Sequence, residues 1–287
     1  MTPGTDLVGY SRGMYSNWLW HRPLQLLVDA GEGLQLALGT RVFSPSVVAI
    51  THGHSDHVLG LPGLIAARRF GKGAQDKPLI VAYPEGSAGV RAMQAVLEIA
   101  SRGVTFPLTW MPLAPGDTLS LGAGRTLEAF QAAHTPGEPA LGYRVVERRR
   151  RLRAEFAGLP PAEIATRARA GGRDAMMEEV PHVVFAHSGD SMAIPPGTAD
   201  GAGVLVHDAT FLDVRDRREP IHASTEEALE AARLAGAGTL VLHHLSVRYA
   251  RPDALRTVAG QVAASGFAGR AWLLDDDRFV DLTSDRA

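Results

Sequence analysis

The sequence predicts an α/β protein whose sheets are covered by helices. Short runs rich in Val, Ile and Leu recur along the chain, many bounded by Gly or Pro, in the manner of buried strands. Segments with helical periodicity lie between them, and strands alternating with helices call for helix layers packed on sheets. Clusters of His and Asp also follow several of the runs directly.

In chain order the strand candidates are residues 24–28, 47–50, 79–82, 127–132, 142–146, 183–185, 204–206, 240–242 and 272–274. The first helix candidate, 87–100, carries Val90, Met93, Val96 and Leu97 on one face. The second, 225–234, is preceded by Ser224, which with Glu227 forms a capping box. The third, 253–264, has Pro252 near its start. Residues 147–179 differ: they are rich in Arg, Glu and Ala, contain Pro160-Pro161 and Gly171-Gly172, and lack a buried-strand run. They predict a charged helical arm inserted in a single domain of residues 1–287, either solvated or in contact with a substrate.

Composition narrows the function. Cysteine is absent, which excludes a disulfide framework, Cys-ligated zinc, iron–sulfur clusters and a thiol nucleophile. Any metal site must use His and carboxylates, and there are 11 His. The net charge of -2 excludes a basic coat for nucleic acid but leaves room for a local patch. Only Lys72 and Lys77 are lysines, so 27 of the 29 basic residues are Arg. The opening residues read as no export signal, and no apolar run reaches the roughly 18 residues that a membrane span needs. The expectation is a cytoplasmic protein with no membrane segment.

The strongest local signal is His52-Gly53-His54-Ser55-Asp56-His57, directly after the strand candidate 47–50. In extended chain, His52 and His54 point the same way. Asp56 and His57 follow where the chain turns and can face the same space from the other side. Neutral imidazoles with a carboxylate suit zinc, and also manganese or iron. The bland alternative is a His-rich surface loop that binds nothing. Further polar residues stand at the C-terminal ends of other runs: His134 after 127–132, His187-Ser188-Gly189-Asp190 after 183–185, His207-Asp208 after 204–206, and His243-His244 after 240–242. Sites in α/β proteins are assembled at such ends. Any one of these His alone reads as a hydrogen-bonded structural residue; together they converge.

The His52–His57 segment resembles the signature of the metallo-β-lactamase fold. The continuation Val58-Leu59-Gly60-Leu61-Pro62-Gly63-Leu64 looks like the ribonuclease Z family within it, the tRNA 3′-processing endonucleases. Asp29-Ala30-Gly31-Glu32-Gly33-Leu34-Gln35, Leu141-Gly142-Tyr143-Arg144, Ser188-Gly189-Asp190, His207-Asp208-Ala209-Thr210-Phe211, His222-Ala223-Ser224-Thr225 and His244-Leu245-Ser246-Val247-Arg248-Tyr249 resemble further family segments, in the family's order. The resemblance implies a four-layer αββα sandwich with a dinuclear site at one edge.

The resemblance also implies roles. His52, His54 and His134 would hold one zinc, Asp56, His57 and His244 the other, and Asp190 would bridge them, with manganese or iron as substitutes. Asp56 would also orient the attacking water or take its proton. His222, oriented by Asp208, would serve the leaving-group side; alternatively it only positions the turn before a helix. Asp208 stands where the family has Glu. Arg248 would clamp a phosphate or form an ordinary salt bridge, and Pro62 and Gly63 would contact substrate. In the family an arm between the His134 and Asp190 positions grips tRNA. Here residues 147–179 hold that place, with Arg148, Arg149, Arg150 and Arg151 as a phosphate-neutralising cluster or as a solvated helix start. His187 and His207 read as supports for the ligands, His21 and His182 as structural. The implied activity is removal of the 3′ trailer from tRNA precursors, by a homodimer. The alternatives are hydrolysis of a small phosphodiester such as a cyclic nucleotide, or another ester or lactone, and a non-catalytic RNA-binding protein.

Overall fold

Strands covered on both faces split their alternate residues between two cores. In β3 (Leu26–Val28) and β4 (Val47–Ala49), Leu26, Val28, Val47 and Ala49 pack in one apolar cluster while Leu27 and Val48 pack in another. In β11 (Val204–Asp208) and β12 (Thr239–His243), Val204, Val206 and Val241 join the first cluster, and Leu205, Leu240 and Leu242 a third. Burial on both sides is why the runs are unbroken in sequence.

The computed structural model describes residues 6–71, 76–101 and 104–284. Residues 1–5, the start of the segment read for an export signal, lie outside the described residues. One sheet runs β1 (Leu7–Arg12), β2 (Ser16–His21), β3, β4, β5 (Leu79–Pro84), β6 (Leu108–Leu113), antiparallel up to β3 and parallel beyond. The other runs β14 (Arg278–Asp281), β13 (Arg270–Asp275), β12, β11, β10 (Met177–His187), β9 (Leu141–Leu152), β8 (Arg125–Gln131), β7 (Thr118–Gly122). Its β10 to β13 are parallel. Helices α1 (Leu34–Leu38), α2 (Ser55–Val58), α3 (Leu61–Phe70) and α4 (Ala88–Ser101) cover the first sheet; α7 (Thr225–Ala235) and α8 (Arg251–Ala264) cover the second. The layers are therefore αββα, as expected. Among the described residues no helix is long and apolar enough to cross a membrane.

Each of the nine strand candidates overlaps a strand, though the first begins later, because Gln25 (φ +50°) still belongs to a turn, and Ile50 and Ala132 fall just past the ends of β4 and β8. The capping box at Ser224 and Glu227 is formed. Two expectations are corrected. Val96 on α4 is exposed, so only part of the proposed face is buried. The arm is not helical throughout: β9 and β10 run on as an antiparallel ribbon pairing Glu147 to Leu152 with His182 to Met177, and helix is confined to α5 (Ala154–Ala157) and α6 (Pro161–Gly171) at the tip. Arg148, Arg149, Arg150 and Arg151 thus lie on a strand, where successive side chains point to opposite faces. A ribbon solvated on both faces has no apolar pattern to announce it.

Candidate metal centre

The parallel strands of both sheets end at the same edge, and their C-terminal ends deliver the polar residues. After β4 the chain stays extended through His54 (φ −67°, ψ 151°), and α2 then starts at Ser55, placing Asp56 and His57 in its first turn. Gly53 between the first two His is packed tightly. A Cβ there would lie 2.4 Å from Ser87 Oγ and 2.5 Å from Glu138 Oε1, while its N–H donates to Glu138 Oε1 at 2.9 Å.

His52, His54 and His134 bring three ring nitrogens together. His54 Nδ1 lies 3.0 Å from His52 Nε2 and 3.3 Å from His134 Nε2. The far nitrogens are already committed: His134 Nδ1 faces the Ile221 carbonyl at 2.8 Å, and His52 Nδ1 faces Thr51 Oγ1 at 3.1 Å, whose own proton goes to Asp29. Nδ1 therefore carries the proton in both rings, and two Nε2 lone pairs point at His54. A single proton on His54 Nδ1 satisfies at most one of them. Burial keeps His52 and His134 below the ordinary His range, hence neutral. Converging neutral imidazole lone pairs are what a metal cation requires.

The other half of the cluster holds Asp56, His57, His244 and Asp190. Asp190 Oδ2 lies 3.3 Å from His57 Nε2 and 3.1 Å from His244 Nε2, while its buried Oδ1 has no hydrogen-bond partner among the described residues. Asp56 Oδ2 is 3.6 Å and 3.5 Å from the same two nitrogens. Here too the rings are oriented from behind. His57 Nδ1 donates to Asp29 Oδ2 at 2.8 Å, and His244 Nδ1 meets Thr210 Oγ1 at 2.8 Å. Asp56 Oδ2 accepts from Asn17 Nδ2 (3.0 Å) and Met14 N–H (3.1 Å) in the β1–β2 hairpin. Burial alone would raise Asp190; the surrounding His244, His57 and His52 hold it well below the ordinary carboxylate range. Burial would lower His57, but Asp190 and Asp29 push it well up. The His/Asp donors of the two halves lie close enough to hold metal ions, and the residues present fit a metal-binding site.

His222 completes the edge. Its Nδ1 lies 2.6 Å from Asp208 Oδ2, and Asp208 also accepts from Ser191 N–H, Thr210 N–H and Thr210 Oγ1. The shorter Asp therefore still reaches. Burial lowers His222, but the fully buried Asp208 more than offsets it, and the imidazole is pushed up to about 9. Its ring stacks on His244 at 5.0 Å and meets His134 edge-on at 4.8 Å, so it borders both halves of the cluster.

All seven expected ligands and the His222–Asp208 pair thus converge. His243 turns the other way, its ring against buried His187 at 4.7 Å. His187 Nδ1 accepts from Gly189 N–H, beside Asp190, and His207 spans the Asp208 carbonyl and Ile194 N–H. Both brace the loops that carry site residues. His21 Nδ1 accepts from Leu24 N–H, and His182 pairs with Glu147 across the ribbon. Arg248 is exposed; it donates to the Asp216 carbonyl at 2.9 Å and lies over the Phe211 ring, without a carboxylate partner among the described residues. Pro62 opens α3, and Gly63 is backed by the Gln35 side chain. Arg149, Arg150 and Arg151 pair with Glu147, Asp174 and Glu178. Sequence reading assigned no role to Asp29, Thr51, Thr210, Asn17 or Glu138. Asp29 and Thr210 had a signal, their places in quoted family segments.

The model of the β-lactamase superfamily domain matches residues 25–180. A ribonuclease Z of Halobacterium salinarum is 33% identical over 273 residues, covering 87% of this chain and 85% of the relative. One of Methanosarcina acetivorans is 32% identical over 249 residues, 78% of this chain and 79% of the relative. Among solved structures, the short form of human tRNase Z superposes with TM-score 0.65 at 20% identity, over 96% of this chain and 98% of that one. The metallo-β-lactamase fold protein YhfI of Bacillus subtilis gives TM-score 0.64 at 17% identity, over 95% and 98%. The superpositions agree with the αββα layers, and the sequence identity extends beyond the superfamily match to the strands that carry Asp208 and His244. On these grounds the chain belongs to the ribonuclease Z family of metal-dependent, metallo-β-lactamase-fold hydrolases.

Proposed function

We propose that this chain is a zinc-dependent phosphodiesterase that removes the 3′ trailer of tRNA precursors. It would work in the cytoplasm as a homodimer, each subunit a single domain with the β9–β10 arm projecting from it. The observation that carries the reading is the convergence of the His52, His54 and His134 ring nitrogens, with the protons of His52 and His134 committed behind their rings, beside a His222–Asp208 pair. His52, His54 and His134 would hold one zinc, and Asp56, His57 and His244 a second, with Asp190 between them; manganese or iron would suit the same donors. When bound, such a pair of cations lowers the pKa of water and neutralises charge on a phosphoryl group.

The chain's own residues do the rest. Asp56, with Oδ2 fixed by Asn17 and Met14, orients the attacking water and accepts its proton. His222 stays protonated near neutral pH through Asp208, and with Nδ1 committed to that carboxylate its Nε2 donates to the departing 3′ oxygen. The pre-tRNA substrate is supported by the relatives, which are named ribonuclease Z. Arg248, Pro62 and Gly63 and the arm residues Arg148, Arg149, Arg150 and Arg151 would contact the RNA.

The test is cleavage of a 3′-extended pre-tRNA alongside hydrolysis of bis-p-nitrophenyl phosphate, with metal content measured by mass spectrometry. Cleavage at the trailer junction with about two zinc ions per chain is expected. Turnover of the small ester alone would replace the endonuclease with a small-phosphodiester hydrolase. RNA binding with no turnover of either would make the chain a binding protein.

A further inference from the structure

The segment that carries His222 is held by a clamp that the reaction described above does not use. Arg217 is 13% exposed and turns its guanidinium inward. Its Nη1 donates to the His222 carbonyl at 2.9 Å and to Glu227 Oε2 at 2.7 Å, and its Nη2 donates to Glu227 Oε1 at 3.1 Å. Glu227 is in turn fixed to the first turn of α7, where its Oε2 accepts from Ser224 N–H at 2.8 Å and its own N–H donates to Ser224 Oγ at 3.2 Å. A rigid helix start therefore reaches, through one carboxylate and one guanidinium, the backbone of His222.

The position of that backbone matters twice. The Ile221 carbonyl accepts from His134 Nδ1, and His222 Nδ1 meets Asp208. A bidentate Arg–carboxylate fork fixes direction as well as distance, which a lysine cannot do with one ammonium. Exposed ion pairs contribute little to stability, but this pair is largely withdrawn from water and ends on the peptide of a site residue.

We propose that Arg217, locked by Glu227, is a positioning residue that sets the reach of His222 toward the leaving oxygen. The inference rests on the reading of His222 as proton donor. A residue that only steadied the start of α7 would alter stability without altering which leaving groups depend on His222.

The experiment compares wild-type, Arg217→Ala and Arg217→Lys holoenzymes on a series of aryl phosphodiesters, from p-nitrophenyl to unsubstituted phenyl, and on pre-tRNA. Acidic phenols leave without a proton; poor leaving groups need one. In Arg217→Ala, kcat on the phenyl ester and on pre-tRNA should fall about 10- to 100-fold, with the p-nitrophenyl ester within about twofold and KM and zinc content unchanged. Arg217→Lys should lie between. Equal losses across the series, losses that track zinc content, or no loss at all would overturn the proposal. If Arg217→Ala does not yield folded protein by circular dichroism, the slope of the series in Arg217→Lys decides on the same terms. The two readings fail separately. Wild-type enzyme inactive on pre-tRNA, with a steeper aryl series in the variant, removes the RNA substrate and keeps the clamp. Cleavage of pre-tRNA with an unchanged slope removes the clamp and keeps the substrate.

Discussion

The metal cluster and the β9–β10 arm are both dense in charged and titratable groups, yet they are built on opposite rules. In the cluster almost every ring or carboxylate is held by a second buried group: His57 by Asp29, His52 by Thr51, His134 by the Ile221 carbonyl, His244 by Thr210, His222 by Asp208. In the arm Arg149, Arg150 and Arg151, each at least half exposed, pair with carboxylates at the surface, and Arg150's partner Asp174 is 88% exposed. A buried polar group must be satisfied, so its partners are specified and expensive to change. An exposed ion pair is screened and easily exchanged for another anion. The cluster is preorganised; the arm is available.

The largest break in this contrast comes from removing a donor. His54 offers the one nitrogen that faces both His52 and His134. His54→Ala should lose metal and more than about a hundredfold of activity, beyond the range that lost supporting residues cost. Mass spectrometry of purified protein and turnover of bis-p-nitrophenyl phosphate check it. Full metal content with full activity would place the site elsewhere.

Next comes a partner behind the donors. Asp29 accepts from His57 Nδ1, Thr51 N–H and Thr51 Oγ1, so it steers His57 directly and His52 through one hydroxyl. Asp29→Asn keeps the shape but gives His57 or Thr51 a donor where each needs an acceptor. A His57 that moves its proton to Nε2 can no longer bind a cation there. Zinc affinity, measured by competition with a chelator, should drop about 10- to 100-fold. An unchanged affinity would mean that the rings hold their orientation without it.

The contrast also explains what sequence reading could reach. The seven converging His and Asp residues were legible because the family motif is local for four of them, and because the rest follow apolar runs, which strands covered on both faces must have. Of the supporting residues, Asp208, His187 and His207 were legible beside them, but Asn17 and Glu138 were not, since Asn17 meets Asp56 and Glu138 meets Gly53 only once the sheets have closed. Strands at the margins escaped for the same reason in reverse. β7 and β14 are edges, and β1 and β2 carry Ser11 and Asn17 toward the site, so none presents an unbroken apolar run. α3 hid behind Pro62 and Gly63, although Pro suits a first helical turn. The ribbon within the arm could not be seen at all, because nothing buries it.

A smaller effect is expected where the cluster touches its scaffold. A Cβ on Gly53 would meet Ser87 Oγ, Glu138 Oε1 and, at 3.0 Å, Gly89 N. Gly53→Ala must push apart the loop and the start of α4, at a cost of about 1–3 kcal/mol. Urea unfolding should show a lower midpoint with an unchanged slope. A midpoint equal to wild type would show that the His52–His54 loop yields freely, contrary to the preorganisation argued above.

The smallest effect is expected in the arm, and there only in RNA binding. Strand geometry puts Arg148 and Arg150 on one face of the ribbon and Arg149 and Arg151 on the other. Arg149 and Arg151 are tied to Glu147 and Glu178 on the strands themselves. Arg148 makes none of the ion pairs found among the described residues, and Arg150 holds the exposed Asp174 with the exposed Glu179 across the ribbon from it. The face of Arg148 and Arg150 is therefore the one free to exchange its counter-charge for phosphate. Arg148→Gln with Arg150→Gln should leave the melting temperature and the turnover of the small ester unchanged, and reduce the salt slope of pre-tRNA binding by about one to two. Arg149→Gln with Arg151→Gln should change the slope less. Equal slopes in both pairs would mean that neither face of the ribbon meets RNA, and a larger change in the second pair would turn the arm over.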